Sequence, residues 1–242
     1  MRQRNLSTQL VHEIGRKIVS GQLAPGDILP RVEVLSEMNG VSRTVTREAL
    51  KALEALRLVE SHQKVGTRVR QRTDWHWWSQ DVLRWSTEAT PNRSFLMQLT
   101  EVRLAIEPAA VALAAKNATD EDLQVIRAGF ERLEASLHGE GDWAKADYEF
   151  HDSIILASHN ELMLSLVRML RDALLYSRHH TMPVMQHTTQ EASQASLALH
   201  RAVFDAVCHR HPLRAYRSML RLLNAVSGLV HRLDEKGESA WA

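Results

Sequence analysis

One cysteine, Cys208, serves a chain of 242 residues, so no disulfide can form within it, and a reducing compartment is the expected setting. Glycine and proline are also sparse, at 10 and 6. That excludes a loop-rich or collagen-like chain and leaves long helices uninterrupted. No apolar run approaches the roughly 18 residues of a membrane span. The N-terminus shows no apolar signal-peptide region, so a cytoplasmic protein with no membrane partner is expected. Net charge is nearly absent too, at +1, but its distribution is lopsided. Residues 1–72 hold 13 Lys and Arg against 7 Asp and Glu, a balance of +6, and the remainder holds 17 against 22, a balance of −5. A basic head on an acidic body suggests a polyanion-binding module joined to a domain with another task.

What is present is helix formers, and the stretch Gly40–Leu50 is the most informative of them. Ser42 is suited to cap a helix. Val45, Ala49, Leu53 and Leu56 then fall at i, i+4, i+8 and i+11, an apolar stripe. Arg43, Arg47 and Lys51 keep the same period two residues out of phase, about 200° around the helix from that stripe. Thr44 and Thr46 flank the basic row. Such a helix can enter a DNA major groove, where Arg pairs bidentately with guanine. Taken alone, the stretch fits an ordinary surface helix equally well.

Its neighbours favour DNA. Residues 7–20 read as a helix with Leu10, Val11, Ile14 and Ile18 inward, stopped by Gly21. Pro25-Gly26-Asp27 reads as a turn, and Pro30 starts a second helix with Val34, Leu35 and Met38 inward. Helix, Gly turn, helix is the helix-turn-helix pattern. Residues 58–62 and 67–70 alternate as two strands around the turn Gln63-Lys64-Val65-Gly66, a hairpin wing whose Lys64, Arg68, Arg70 and Arg72 suit phosphate contacts.

These residues resemble the winged-helix domain of the GntR family of bacterial transcription regulators. The resemblance is carried by Pro25–Pro30, Val41–Leu50, Leu58-Val59-Glu60 and Gly66–Val69. It implies DNA contacts at Arg31, Arg43, Thr44, Arg47 and Gly66, to which the reading of the residues adds Ser42, Thr46 and Lys64. Three positions depart from the family pattern: Arg31-Val32 stands where Ser-Glu is frequent, Arg57 stands where a glycine usually precedes the first wing strand, and the first glycine of the wing tip is replaced near Lys64.

Between Trp75 and Trp85 lie four of the six tryptophans. Each ring can bury on the order of 200 Å², so this segment, 73–94, is expected to pack on one or both domains. The Asp81-Val82-Leu83-Arg84-Trp85 run resembles sugar-acid (galactonate-type) regulators of the family. Pro91–Ser94 breaks the chain before a body of six or seven helices over 95–232, with a tail at 233–242. Its stripes are Leu99, Ile106, Ala110 and Leu113; Leu123, Ile126, Phe130, Leu133 and Leu137 behind a Thr119–Asp122 capping box; Trp143, Phe150 and Ile154; Leu162, Leu166, Met169 and Leu170, running on through Tyr176; Leu197, Val203, Phe204 and Val207; and Tyr216, Met219, Leu223, Val226 and Val230. The fold expected is mainly α: a winged helix-turn-helix followed by an antiparallel helical bundle with room for a pocket.

Three of these stripes are interrupted by polar groups. Asp147 and His151 share a face at i and i+4, His200 lies between Leu197 and Phe204, and Arg103 between Leu99 and Ile106. Buried polar groups need partners. An Asp and two His can satisfy one another through a divalent metal, zinc or similar, and an Arg can hold a carboxylate. They also fit a local Asp–His pair and an Arg103 bonded to Glu101 or Glu107. The runs Glu101–Pro108, Asp147-x-x-x-His151 and Leu199–Ala206 resemble the helical effector (FCD) domain of the FadR subgroup. That resemblance implies a metal on Asp147, His151 and His200, and a small carboxylate effector beside it on Arg103. A fourth ligand is expected near residue 222, which here is Leu222. His179, His180 and His187 have no assigned role. The function implied is a homodimeric, ligand-responsive regulator, a repressor released by a sugar acid. A metal-dependent enzyme of the helical body, with Asp152 as base, is the alternative, and a constitutive nucleoid-type binder a third.

Overall fold

The computed structural model describes residues 2–62, 66–88, 93–138, 140–186 and 190–232, and the chain divides into two compact units, 1–90 and 91–242. Lys64 and His187 fall outside the described residues.

In the first unit, helices α1 (Arg2–Val19), α2 (Val32–Met38) and α3 (Arg43–Ala55) are followed by antiparallel strands β1 (Val59–His62) and β2 (Gly66–Val69) and by helix α4 (Gln80–Glu88). Leu10, Ile14, Ile18, Leu35, Ala49, Leu53 and Leu58 share one core with Val59, Val69, Trp75, Val82 and Trp85. Ser42 caps α3 as its sequence suggests, its hydroxyl accepting from the Val45 amide. The hairpin pairs Val59 with Val69 and His62 with Gly66. Gly66 sits at φ +107°, a conformation that only glycine adopts without strain. Beyond the turn at Pro25–Asp27, the chain lies against β2: the Leu29 amide donates to the Thr67 carbonyl at 2.8 Å and the Val69 amide to that of Asp27 at 2.8 Å. The wing therefore has a third edge, at Ile28, that alternation alone does not reveal.

Two expected inward residues of α2 point out. Val34 is exposed and Met38 is 71% exposed. The helix is only seven residues long, so one turn faces the core, and Leu35 and Ser36 occupy it.

The tryptophan segment folds onto the first unit. Trp75 and Trp85 are buried, whereas Trp78 is exposed. The Trp85 indole donates to His12 Nδ1 at 2.8 Å, and its ring covers Gly15 of α1: a Cβ there would lie 2.4 Å from the nearest ring carbon. A glycine in mid-helix, unfavourable by propensity, is what lets the ring seat.

The second unit holds seven helices among its described residues: α5 (Arg93–Asn117), α6 (Asp120–Ser136), α7 (Trp143–Leu156), α8 (Glu161–Met169), α9 (Arg171–Gln186), α10 (Gln190–Cys208) and α11 (Pro212–Arg232). The Thr119–Asp122 capping box forms on both sides. His159 and Arg210 follow α7 and α10 in the left-handed region, at φ +53° and +55°. His159 Nε2 meets Asp122 Oδ2 at 2.8 Å. Arg210 donates to the Ala118 carbonyl at 2.6 Å and to Asp120 at 3.2 Å. The expected fourth helix is two, α8 and α9, parted at Leu170, and Leu162 is 83% exposed in the first turn of α8. Tyr216 is exposed as well. α5, α7, α9 and α10 carry the buried polar cluster, and Val111, Ile126, Phe130, Phe150, Ile154, Val203 and Met219 belong to the apolar core.

Candidate DNA edge and buried effector site

On α3, Val45, Ala49 and Leu53 are buried and Arg43, Thr44, Arg47 and Lys51 are exposed. Arg31 is exposed at the start of α2. Among the described residues, Arg43 has one weak ionic neighbour, Glu33, at 3.8 Å. A solvent-facing row of cations on a short capped helix, beside a hairpin, is the arrangement that places Arg against base edges and phosphates. Thr46 does not belong to that row. It is fully buried; its hydroxyl meets Ser36 Oγ at 3.0 Å and donates to the Ser42 carbonyl at 3.3 Å. It lies one residue after Val45, about 100° around the helix, which is enough to reach α2, so Thr46 joins the two helices of the motif and has no exposed surface to offer DNA.

In the second unit, polar residues from four helices form one cluster. α5 supplies Arg103 and Glu107, α7 Asp147 and His151, α9 Arg178 and α10 His200, all buried. Arg103 Nε donates to Glu107 Oε1 at 2.7 Å, so the partner of Arg103 is Glu107 and not Glu101. Glu107 Oε2 lies 3.2 Å from His151 Nδ1, without the alignment of a hydrogen bond. His151 Nε2 is 3.8 Å from Asp147 Oδ1. That same oxygen is 2.7 Å from His200 Nε2, while Asp147 Oδ2 accepts from Arg178 Nε. Trp143 and Phe150 set their ring edges or faces against His200 at 5.8 and 6.0 Å between centroids.

The electrostatics follow from burial and opposite charge. Burial pushes the Glu107 carboxyl up, but Arg103 and His151 outweigh it and hold Glu107 below the usual carboxylate range. Burial likewise opposes ionisation of Asp147, yet Arg178, His151 and His200 keep it well below that range. Burial pushes His151 down, and the two carboxylates only partly offset this, so its neutral form is favoured. Two guanidinium groups thus balance two carboxylates.

Asp147, His151 and His200 each offer a donor atom within 4.8 Å of the others. Both ring nitrogens of His151 are buried with no hydrogen-bond partner among the described residues. His200 Nδ1 lies 2.8 Å from the Ser196 carbonyl, the second contact that a metal-ligating histidine commonly makes. This donor set fits a divalent cation of the zinc type. Leu222 offers nothing: it is 3% exposed within the apolar core. His179 is exposed and His180 half-buried, its Nδ1 against the Tyr176 carbonyl at 2.9 Å. Asp152 is held in a two-point ion pair by Arg168, at 3.1 and 2.9 Å.

Sequence reasoning offers Glu107 only as one of two partners for Arg103 and misses Arg178. Glu107 was visible as the i+4 neighbour of Arg103. Arg178 was obscured because the fourth helix was read as continuous through Tyr176. Once α9 starts at Arg171, Ala173, Leu174, Ser177, Arg178 and Thr181 form its buried face.

Comparison with known proteins gives the family of the chain. Residues 6–69 match the family model for bacterial regulatory proteins of the gntR family, and residues 98–225 match the FCD domain. The chain is 29% identical over 226 residues to the galactonate operon transcriptional repressor of Escherichia coli K12, covering 90% of this chain and 94% of that protein. It is 31% identical over 214 residues to the regulator LutR of Bacillus subtilis 168, covering 88% and 95%. Among solved structures, Lar, a protein controlling the Listeria monocytogenes agr system, superposes with a TM-score of 0.62 at 17% identity, covering 94% of this chain and 97% of Lar; that likeness concerns the fold. No helix among the described residues is long and apolar enough to cross a membrane. The chain therefore belongs to the gntR family of bacterial regulatory proteins, joins its DNA-binding domain to an FCD domain, and is a transcription regulator, not an enzyme.

Proposed function

We propose that this chain is a homodimeric, cytoplasmic repressor released from its operator by a small carboxylate, a sugar acid being the favoured class. The observation that carries the effector half is a pair of buried polar atoms with no hydrogen-bond partner among the described residues, His151 Nε2 and Arg178 NH2, beside the poorly aligned His151 Nδ1–Glu107 Oε2 contact at 3.2 Å. Unsatisfied buried groups are costly, and a polar ligand would supply what they lack. The named role of the galactonate operon repressor supports both repression and a sugar acid. Arg103, Asp147, His151 and His200 would contact the effector. Asp147, His151 and His200 would also hold a divalent ion, which when bound would anchor the effector's carboxylate.

In the first unit, Arg31, Ser42, Arg43, Thr44, Arg47, Lys64 and Gly66 would meet double-stranded DNA, with two copies gripping two half-sites. An effector that weakens operator binding tenfold requires about 1.4 kcal/mol of coupling. The test is a thermal-shift screen of sugar acids and other small carboxylates, with divalent metal and with chelator, followed by operator gel shifts with each hit. A stabilising sugar acid that releases the operator supports the proposal. Stabilisation by none of the carboxylates under either condition would sink it.

A further inference from the structure

We propose that Arg178 and a divalent cation are alternative partners of Asp147, so that Arg178 sets how tightly this cluster binds metal. The inference rests on the metal reading of Asp147, His151 and His200. Both carboxylate oxygens of Asp147 already accept a contact, Oδ1 with His200 Nε2 at 2.7 Å and Oδ2 with the Arg178 guanidinium. The cluster's two guanidinium groups already match its two carboxylates. Every one of these side chains is more than nine-tenths buried. Adding two positive charges while Arg178 stays in place would leave a large uncompensated charge away from water, which is strongly disfavoured. A cation therefore enters as Arg178 leaves the carboxylate, or as an anion arrives with it.

Arg178 has somewhere to go. Its NH1 donates to the Leu174 carbonyl at 3.2 Å, and its guanidinium lies 5.9 Å from the Tyr148 ring centroid, a second favourable seat for a cation. Its NH2 has no hydrogen-bond partner among the described residues. Turned from Asp147, the planar fork is free to take a carboxylate. Metal and effector carboxylate then enter together, the metal on Asp147 and the anion on the arginine it displaced. The apolar Leu222 sharpens the competition, because only three protein ligands oppose one resident arginine.

The test is equilibrium dialysis of the full chain against zinc or nickel, with metal content measured for the native protein, Arg178→Gln and Arg178→Lys. Circular dichroism confirms folding of each. Arg178→Gln should bind one equivalent at least about tenfold more tightly than the native protein, from removal of one nearby positive charge, and His200→Ala on that background should abolish the gain. If Arg178→Gln does not fold, Arg178→Lys, which keeps the charge but withdraws the guanidinium donor from Asp147 Oδ2, should show a smaller gain than Arg178→Gln and still bind more tightly than the native protein. Equal or weaker metal binding in the folded variants overturns the role of Arg178 and leaves the metal site standing. Absence of binding in the native protein and all variants overturns both.

Discussion

Replacing Gly15 with alanine tests how the tryptophan segment is seated. The added Cβ would lie 2.4, 2.5 and 2.8 Å from three carbons of the Trp85 ring. Carbon atoms settle about 3.5–4.0 Å apart, so the ring must retreat by roughly 1 Å. Trp85 is wholly buried and tied to His12 at 2.8 Å, so it cannot swing aside without breaking that bond, worth about 1 kcal/mol. Overpacking adds about 1–3 kcal/mol, and the better helix propensity of alanine returns about 1. The net expectation is a loss of about 1–3 kcal/mol, read from urea denaturation followed by far-ultraviolet circular dichroism. On a Trp85→Ala background the obstruction is gone, and the same Gly15→Ala change should stabilise by up to about 1 kcal/mol. This reversal of sign within a double-mutant cycle is the decisive result. If Gly15→Ala stabilises the native chain as it does the Trp85→Ala chain, the ring is not seated on α1 and the reasoning fails.

The other expectations are simpler. Arg47→Ala should reduce operator binding at least about tenfold, the loss of a base or phosphate contact, while leaving effector binding unchanged in a thermal shift; an unchanged gel-shift titration would remove α3 from its role. Arg103→Ala would strand Glu107 at a cost of about 3–5 kcal/mol, so the charge-preserving Arg103→Lys is the better variant. It should bind operator normally but need about tenfold or more effector for release, since the bidentate fork is lost; normal release would make Arg103 structural only. Stability should fall on acidification in two stages. His151 is held below its ordinary value near 6.5, so its contribution is present above that value and is lost as the unfolded chain takes up a proton the native one refuses. Glu107 and Asp147, both depressed, are fully stabilising above about pH 4–5 and lose that contribution below it. A denaturation midpoint that rises between pH 7 and 5 would contradict this. Finally, Arg57 carries φ +57°, and Arg57→Gly should raise stability by about 0.5–1 kcal/mol, relief of strain exceeding the entropy glycine adds to the unfolded chain.

The sequence was most readable where one face decides everything. The stripe Val45, Ala49, Leu53 fixed which side of α3 is buried, and with it the exposure of Arg43 and Arg47. Ser42 and Thr119 declared two helix starts through their own hydrogen bonding. Periodicity failed where a short helix or a small residue broke the link between polarity and exposure. Met38 is apolar and exposed, because α2 has a single inward turn. Thr46 is polar and buried, because α2 supplies a hydroxyl partner that lies ten residues away. The convergence of Asp147, His151 and His200 was legible as three inward polar residues, but no local pattern could say that Arg178, 31 residues from Asp147, would arrive at the same carboxylate. Gly15 was equally silent, since the ring it admits is contributed by a helix 65 or more residues further on.

The joint between α5 and α6 has a consequence for how the second unit can change shape. His159 and Arg210 reach it from the ends of two other helices, and both grip the five-residue span from Ala118 to Asp122. α6 is therefore pinned at its origin from two directions, and sliding it along its axis would break side-chain contacts on both. A change of shape that keeps these contacts turns α6 about that anchored corner, with displacement growing toward its far end.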